Sequence, residues 1–177
     1  MKDIKNLLKG LDLLWENHNN CRAHFPFVTP QSVGAKAVST APYYIQQGFN
    51  ITFLFNEGIS ADGIDKINEI GHWINQNFVV RLCALLESFS VLSNNINFNL
   101  DGAEHVHIVR RLRNCFAHSS GRFHPNDSEH RKTMELMRDH LGISIKNLSA
   151  WPLPIDTVLE PLFEGCKKYA KNKLGSP

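Results

Sequence analysis

The sequence predicts an all-α fold, a bundle of about five helices forming one domain over residues 1–177. Three observations lead there. Apolar residues recur at three-to-four spacing in several separate stretches, and cap and breaker residues stand between those stretches. No run of alternating apolar and polar residues marks a sheet large enough to organise a core.

The first helix is carried by Ile4, Leu7, Leu8, Leu11, Leu14 and Trp15 and is expected to end near Asn19 or Asn20. From Arg22 to Pro42 the chain holds Pro26, Pro30, Gly34 and Pro42 and reads as loop; Tyr43 to Phe55 is apolar and aromatic and fits a helix or a short strand equally. Residues 22–59 are thus a loop-rich insertion or N-terminal extension. Ser60 or Asp62 can cap a long second helix in which Ile64, Ile67, Ile70, Ile74, Phe78, Leu82, Leu85 and Phe89 share one face. Asn94 to Asn99 breaks the pattern, and Asp101 is placed to cap a third helix from Ala103 to His118, which Ser119, Ser120 and Gly121 end. A fourth helix spans about Asp127 to His140 and stops at Gly142. After Pro152 and Pro154 a fifth runs from Ile155 to about Lys173, with Pro161 near its start able to kink it.

Composition narrows the class. With 42% hydrophobic and 20% charged residues, 177 residues suffice for a core of their own. Lys2, Asp3, Lys5, Lys9 and Asp12 interrupt the N-terminal stretch, which therefore lacks a signal-peptide core. The longest apolar run, Phe78 to Leu86, is broken by Arg81, far short of the roughly 20 residues a bilayer requires. The expectation is a soluble, cytoplasmic chain with no membrane partner. Cys21, Cys83, Cys115 and Cys166 are widely separated and read as buried thiols. A net charge of +2 does not by itself argue for nucleic acid. Charge distribution says more: Asp101 to His140 holds seven Arg or Lys, six Asp or Glu, and six of the nine histidines.

The third helix concentrates the chemistry. Val106, Val109, Leu112 and Phe116 form its core-facing stripe, and Arg113 falls within that stripe. An arginine cannot shed its proton, so it must meet an anion or extend its head to water; Glu87 on the second helix is the candidate carboxylate. Asn114 and His118 stand i, i+4, with Arg110 and His107 on the same side. His105 and His107 alternate, but on a helix they point about 200° apart and cannot share a metal. Phosphate-loop, dinucleotide, zinc-protease and serine-hydrolase motifs are all missing from the sequence.

The run Arg113-Asn114-Cys115-Phe116-Ala117-His118 resembles the signature of the HEPN superfamily (higher eukaryotes and prokaryotes nucleotide-binding): an arginine, a polar residue that is often Asn, and a histidine after four to six intervening positions, at the end of a bundle helix. Arg111 also falls within that spacing. The resemblance implies a metal-independent endoribonuclease of the toxin–antitoxin or antiphage type, needing no cofactor, acting on RNA as a homodimer and held in check by a cognate antitoxin protein. It gives His118 the role of general base or acid, Arg113 that of phosphate clamp, and Asn114 that of an orienting hydrogen bonder. These side chains suit metal-free phosphodiester cleavage, which requires proton transfer near neutral pH and a cation on the phosphorane. Arg113 and His118 lie about 140° apart on an ideal helix, so a common phosphate requires a loosened helix end or a second subunit; the resemblance favours the second. Arg110, Arg111 and Arg122 are candidates for an RNA track, and the hydroxyls of Ser119 and Ser120 for phosphate contacts. The alternative is a non-catalytic helical module that binds nucleotide, RNA or a protein partner through the same cleft. A third reading is a helical scaffold in which Arg113 is purely structural.

Overall fold

The computed structural model describes residues 4–39, 48, 51–119, 121–143 and 150–175. Helix dominates: α1 (Ile4–His24), α2 (Ala61–Ser88), α3 (Ala103–His118), α4 (Ser128–Leu141) and α5 (Glu160–Gly175), with one antiparallel strand pair, β1 (Ala37–Ser39) and β2 (Thr52–Leu54). The all-α expectation therefore holds. No described helix is long and apolar enough to cross a membrane. The chain divides into two compact units, one of Met1–Trp15 with Asn75–Pro177, the other of Glu16–Ile74.

In the first unit, Leu7 and Leu11 of α1, Phe78, Leu82 and Leu86 of α2, Val106, Val109 and Leu112 of α3, Met134 and Met137 of α4 and Leu162, Phe163 and Tyr169 of α5 build one core. Trp15 stacks on Phe163 at 4.9 Å and meets Phe78 edge-on at 5.3 Å. In this unit the amphipathic stripes read from the sequence are the surfaces that meet, held by buried apolar area, whereas Ile70 on the expected α2 stripe is 41% exposed. In the second unit, Val28, Ile59 and Ile64 form a small core. Asn68 anchors the incoming chain there by accepting from the Val28 N–H at 2.9 Å and donating to its carbonyl at 2.8 Å. Val38 faces Phe53 across the strand pair.

Several boundaries differ from the sequence expectations, each for a local reason. Helix α1 continues to His24, past Asn20, and the His24 ring bonds to the Asn20 carbonyl at 2.8 Å. Ser60 is the cap of α2, its hydroxyl accepting the Gly63 N–H at 3.0 Å, while Asp62 pairs with Lys66 one turn on. Asp101 does not cap α3. The N-cap is Gly102, at φ 88° with no side-chain cap bond, and Asp101 instead pairs with Lys168 of α5 at 3.0 Å. Glycine is required there on two counts: the left-handed backbone, and the Gly165 carbonyl of α5, which a Cβ on Gly102 would strike. A Cβ on Gly165 would in turn strike the His105 ring. Two glycines thereby set how closely α3 approaches α5.

Pro161 does not simply kink the last helix. Ile155–Leu159 forms a π-helical turn before it, with the Glu160 N–H bonded to the Ile155 carbonyl. A proline offers no N–H and crowds the carbonyl four residues back, and a widened preceding turn relieves both problems.

Candidate functional site

The C-terminal half of α3 and the first turns of α4 enclose a cavity of about 300 Å³. On α3 its walls are Arg111, Asn114, Cys115 and His118, spaced i, i+3, i+4 and i+7, so a single face lines it; Ser119 follows at the helix end. From the other side come Asp127, Glu129, His130 and Thr133. Four of the residues picked out in the sequence, Arg111, Asn114, His118 and Ser119, therefore share one cavity. Arg113 lines no part of it.

Asp127 builds the α4 wall. Its Oδ1 accepts the N–H groups of Glu129 at 2.8 Å and His130 at 3.2 Å, and these two backbone bonds hold its carboxyl below the usual range. Thr133 donates its hydroxyl back to the Glu129 carbonyl at 2.7 Å and accepts Arg111 Nε at 3.1 Å. Arg111 Nη2 also reaches Glu129 Oε2 at 2.9 Å, whose second oxygen holds Lys132 at 3.0 Å. Lys132 first, and then Arg111, keep the Glu129 carboxyl lowered. Because the Thr133 proton is committed to a carbonyl, the Cys115 thiol is the donor in its 3.7 Å contact with Thr133. Burial pushes that thiol up, so it is neutral and unreactive.

His130 is buried at the base of this wall, 2% exposed. Its Nδ1 accepts the backbone N–H of His124 at 3.0 Å, and its Nε2 lies 2.9 Å from Ser119 Oγ. The first bond fixes the tautomer: with Nδ1 bare, the proton of the neutral ring sits on Nε2 and is donated to Ser119. Ser119 accordingly has no base to take its proton and is not an activated nucleophile, despite the Ser–His contact. Its own O–H remains available to donate. Burial lowers the His130 pKa against the opposing pull of Asp127, and Phe123 and Trp151 pack on the ring at 6.0 and 5.1 Å.

The remaining candidates lie outside the cavity. Arg113 is half-buried and donates Nη1 to Asn114 Oδ1 at 3.1 Å. It makes no ion pair with Glu87, which is exposed and accepts the Cys83 thiol at 3.7 Å. The stripe position of Arg113 is thus resolved by extending its head outward rather than by a buried carboxylate. Arg110 donates to the carbonyls of Ser93 and Asn94, both at 3.2 Å. The side chain of Arg122 is exposed and its backbone pairs with Ala150; Ser120 lies outside the described residues. His105 sits against Gly165, whereas His107 meets Phe98 edge-on at 5.6 Å.

His118 is exposed and makes no hydrogen bond to any described residue. The α4 contribution was missed in the sequence, although a signal existed. His130 opens the buried stripe His130, Thr133, Met134, Met137, again i, i+3, i+4 and i+7, and a histidine on a core-facing stripe requires partners for both ring nitrogens. No family model, curated protein or solved structure matches this chain.

Proposed function

We propose that this chain is a metal-independent endoribonuclease of the HEPN type, with His118 as the proton-transfer group. The observation that carries the reading is the combination at the end of α3. An exposed imidazole with no hydrogen-bond partner among the described residues borders a cavity that also presents the Asn114 amide and the Ser119 hydroxyl. An imidazole so exposed can take or give a proton, the property a general acid or base needs.

The reaction runs as follows. Neutral His118 removes the proton of a ribose 2′-OH as that oxygen bonds to the adjacent phosphorus. The P–O5′ bond breaks, and a protonated His118 gives the leaving oxygen its proton, leaving a 2′,3′-cyclic phosphate and a 5′-hydroxyl. One chain has one such histidine, and two arise where α3 meets its copy across a dyad. Arg113, which lies outside the cavity of its own chain, is the cation for the phosphorane held at the second copy's His118. Among the described residues it bonds only Asn114, which leaves most of its fork to reach phosphate oxygens. Arg111 is occupied by Glu129 and Thr133 and acts as a wall of the cavity instead. A cognate antitoxin would bind over this same face.

The purified protein should cleave a pooled RNA in excess EDTA and leave 2′,3′-cyclic phosphate ends. Complete loss on chelation, with rescue by one divalent ion or with 3′-hydroxyl products, overturns the mechanism. The lining carboxylate Asp127 favours one other reading, a non-catalytic module that takes up the N–H groups of a nucleotide or partner; it predicts binding without any cleavage.

A further inference from the structure

Phe98 stands out in the first unit as an aromatic side chain that the core does not use: it is 55% exposed, while Ile96 and Leu100 on either side pack against the core. Its segment is firmly braced. The Asn97 N–H bonds to the hydroxyl of fully buried Tyr169 at 3.0 Å, and the Asn99 N–H bonds back to Asn97 Oδ1 at 3.1 Å. Arg110 holds the carbonyls of Ser93 and Asn94, and Lys173 holds the Val91 carbonyl at 3.0 Å. Phe98 is therefore carried at the apex of a turn pinned from both sides. A singly exposed apolar residue needs no explanation in general; one held out by this many bonds, against a polar helix face, is a different case.

The helix face is the second observation. The ring neighbour of Phe98 is His107, at 5.6 Å. His107, Arg111, Asn114 and His118 are spaced four, three and four apart, so on an ideal helix they fall within a stripe about 60° wide and about 16 Å long. One end of the stripe is the proton-transfer histidine and the other is the exposed phenyl ring. Burial, with Arg111 and Arg110 nearby, lowers the His107 pKa, leaving a neutral ring beside Phe98 at neutral pH. At the 3.4 Å rise of a stacked strand, about five nucleotides span that length.

Resting on the ribonuclease reading, we infer that Phe98 is a stacking platform for an unpaired nucleobase, a few nucleotides from the phosphate that His118 serves. Single-stranded nucleic acid is held by this pairing of an aromatic face with a polar or cationic track, and the stacking is tolerant of sequence. A fully paired duplex keeps its bases in the helix and has none to offer.

The test measures equilibrium binding of a single-stranded oligoribonucleotide carrying 2-aminopurine to the full chain with His118→Ala, so that the strand stays intact. Adding Phe98→Ala should weaken binding about 5- to 150-fold, the range base–aromatic stacking covers, and abolish the fluorescence change of the stacked base. Phe98→Trp should retain both, and a blunt duplex should bind equally with or without Phe98→Ala. If Phe98→Ala leaves single-strand affinity unchanged, the platform is refuted while the His118 site stands. If His118→Ala protein binds no RNA at all, the ribonuclease reading falls and the platform with it.

Discussion

His130→Phe isolates the role of the buried imidazole, because the phenyl ring keeps the packing on Phe123 and Trp151 and removes only two hydrogen bonds, to Ser119 Oγ and from the His124 N–H. At about 1 kcal/mol net for each bond, the change should cost about 2 kcal/mol, or about 4–8 °C in Tm for a chain of this size. The cost should depend on pH. Burial lowers the folded-state pKa of His130 below its ordinary value of 6.5, so as pH falls below 6.5 the unfolded chain binds the proton first and the wild type loses stability. Above that pH the contribution is fully present. A protonated Nδ1 would also oppose the His124 N–H. Urea denaturation of both proteins between pH 5 and 8 should therefore show a gap of about 2 kcal/mol near pH 8 that narrows toward pH 5. Both proteins share an acid slope from His72, His105 and His107, whose pKa values are also lowered, chiefly by burial, and it cancels in the gap. A gap that is flat with pH refutes the lowering of the His130 pKa by burial; one that widens in acid means that Asp127 outweighs burial.

Arg113→Ala should change folding stability by no more than about 0.5 kcal/mol in urea denaturation, as for an ordinary surface position, because the side chain is half-exposed and strands no buried carboxylate; a loss of several kcal/mol would restore Glu87 as its partner. Gly165→Ala should lower Tm by pushing a methyl group into the His105 ring, and His105→Ala in the same chain should recover most of the loss; additive losses would contradict the close α3–α5 approach. Sedimentation at tens of micromolar should give a dimer, and a monomer there would remove the composite site.

Much of the fold was legible because helix faces and helix stops are local signals. The stripe Val106, Val109, Leu112, Phe116 is buried as its spacing requires, and α3 begins and ends where the sequence placed it. What failed depended on contacts distant in sequence. Asp101 looks like a cap, but Lys168 claims it, and the close α5 backbone demands Gly102 instead. Arg113 sits on the buried side of an ideal helix, yet a side chain of its length reaches solvent and bonds Asn114. Arg111, Asn114, His118 and Ser119 were visible because they adjoin one another on α3. Asp127, Glu129, His130 and Thr133 were not, since only the packing of α4 on α3 brings them into the same cavity.

The proposed proton-transfer role of His118 is decided by single-turnover cleavage of a pooled RNA by His118→Ala, beside a thermal melt of the same protein. Loss of a general acid or base should slow cleavage about 10²- to 10⁴-fold. The melt should move little, because an exposed histidine at a helix end contributes only about 0.3–1 kcal/mol. Cleavage by His118→Ala at the wild-type rate would rule out that role and leave the end of α3 a binding or structural feature.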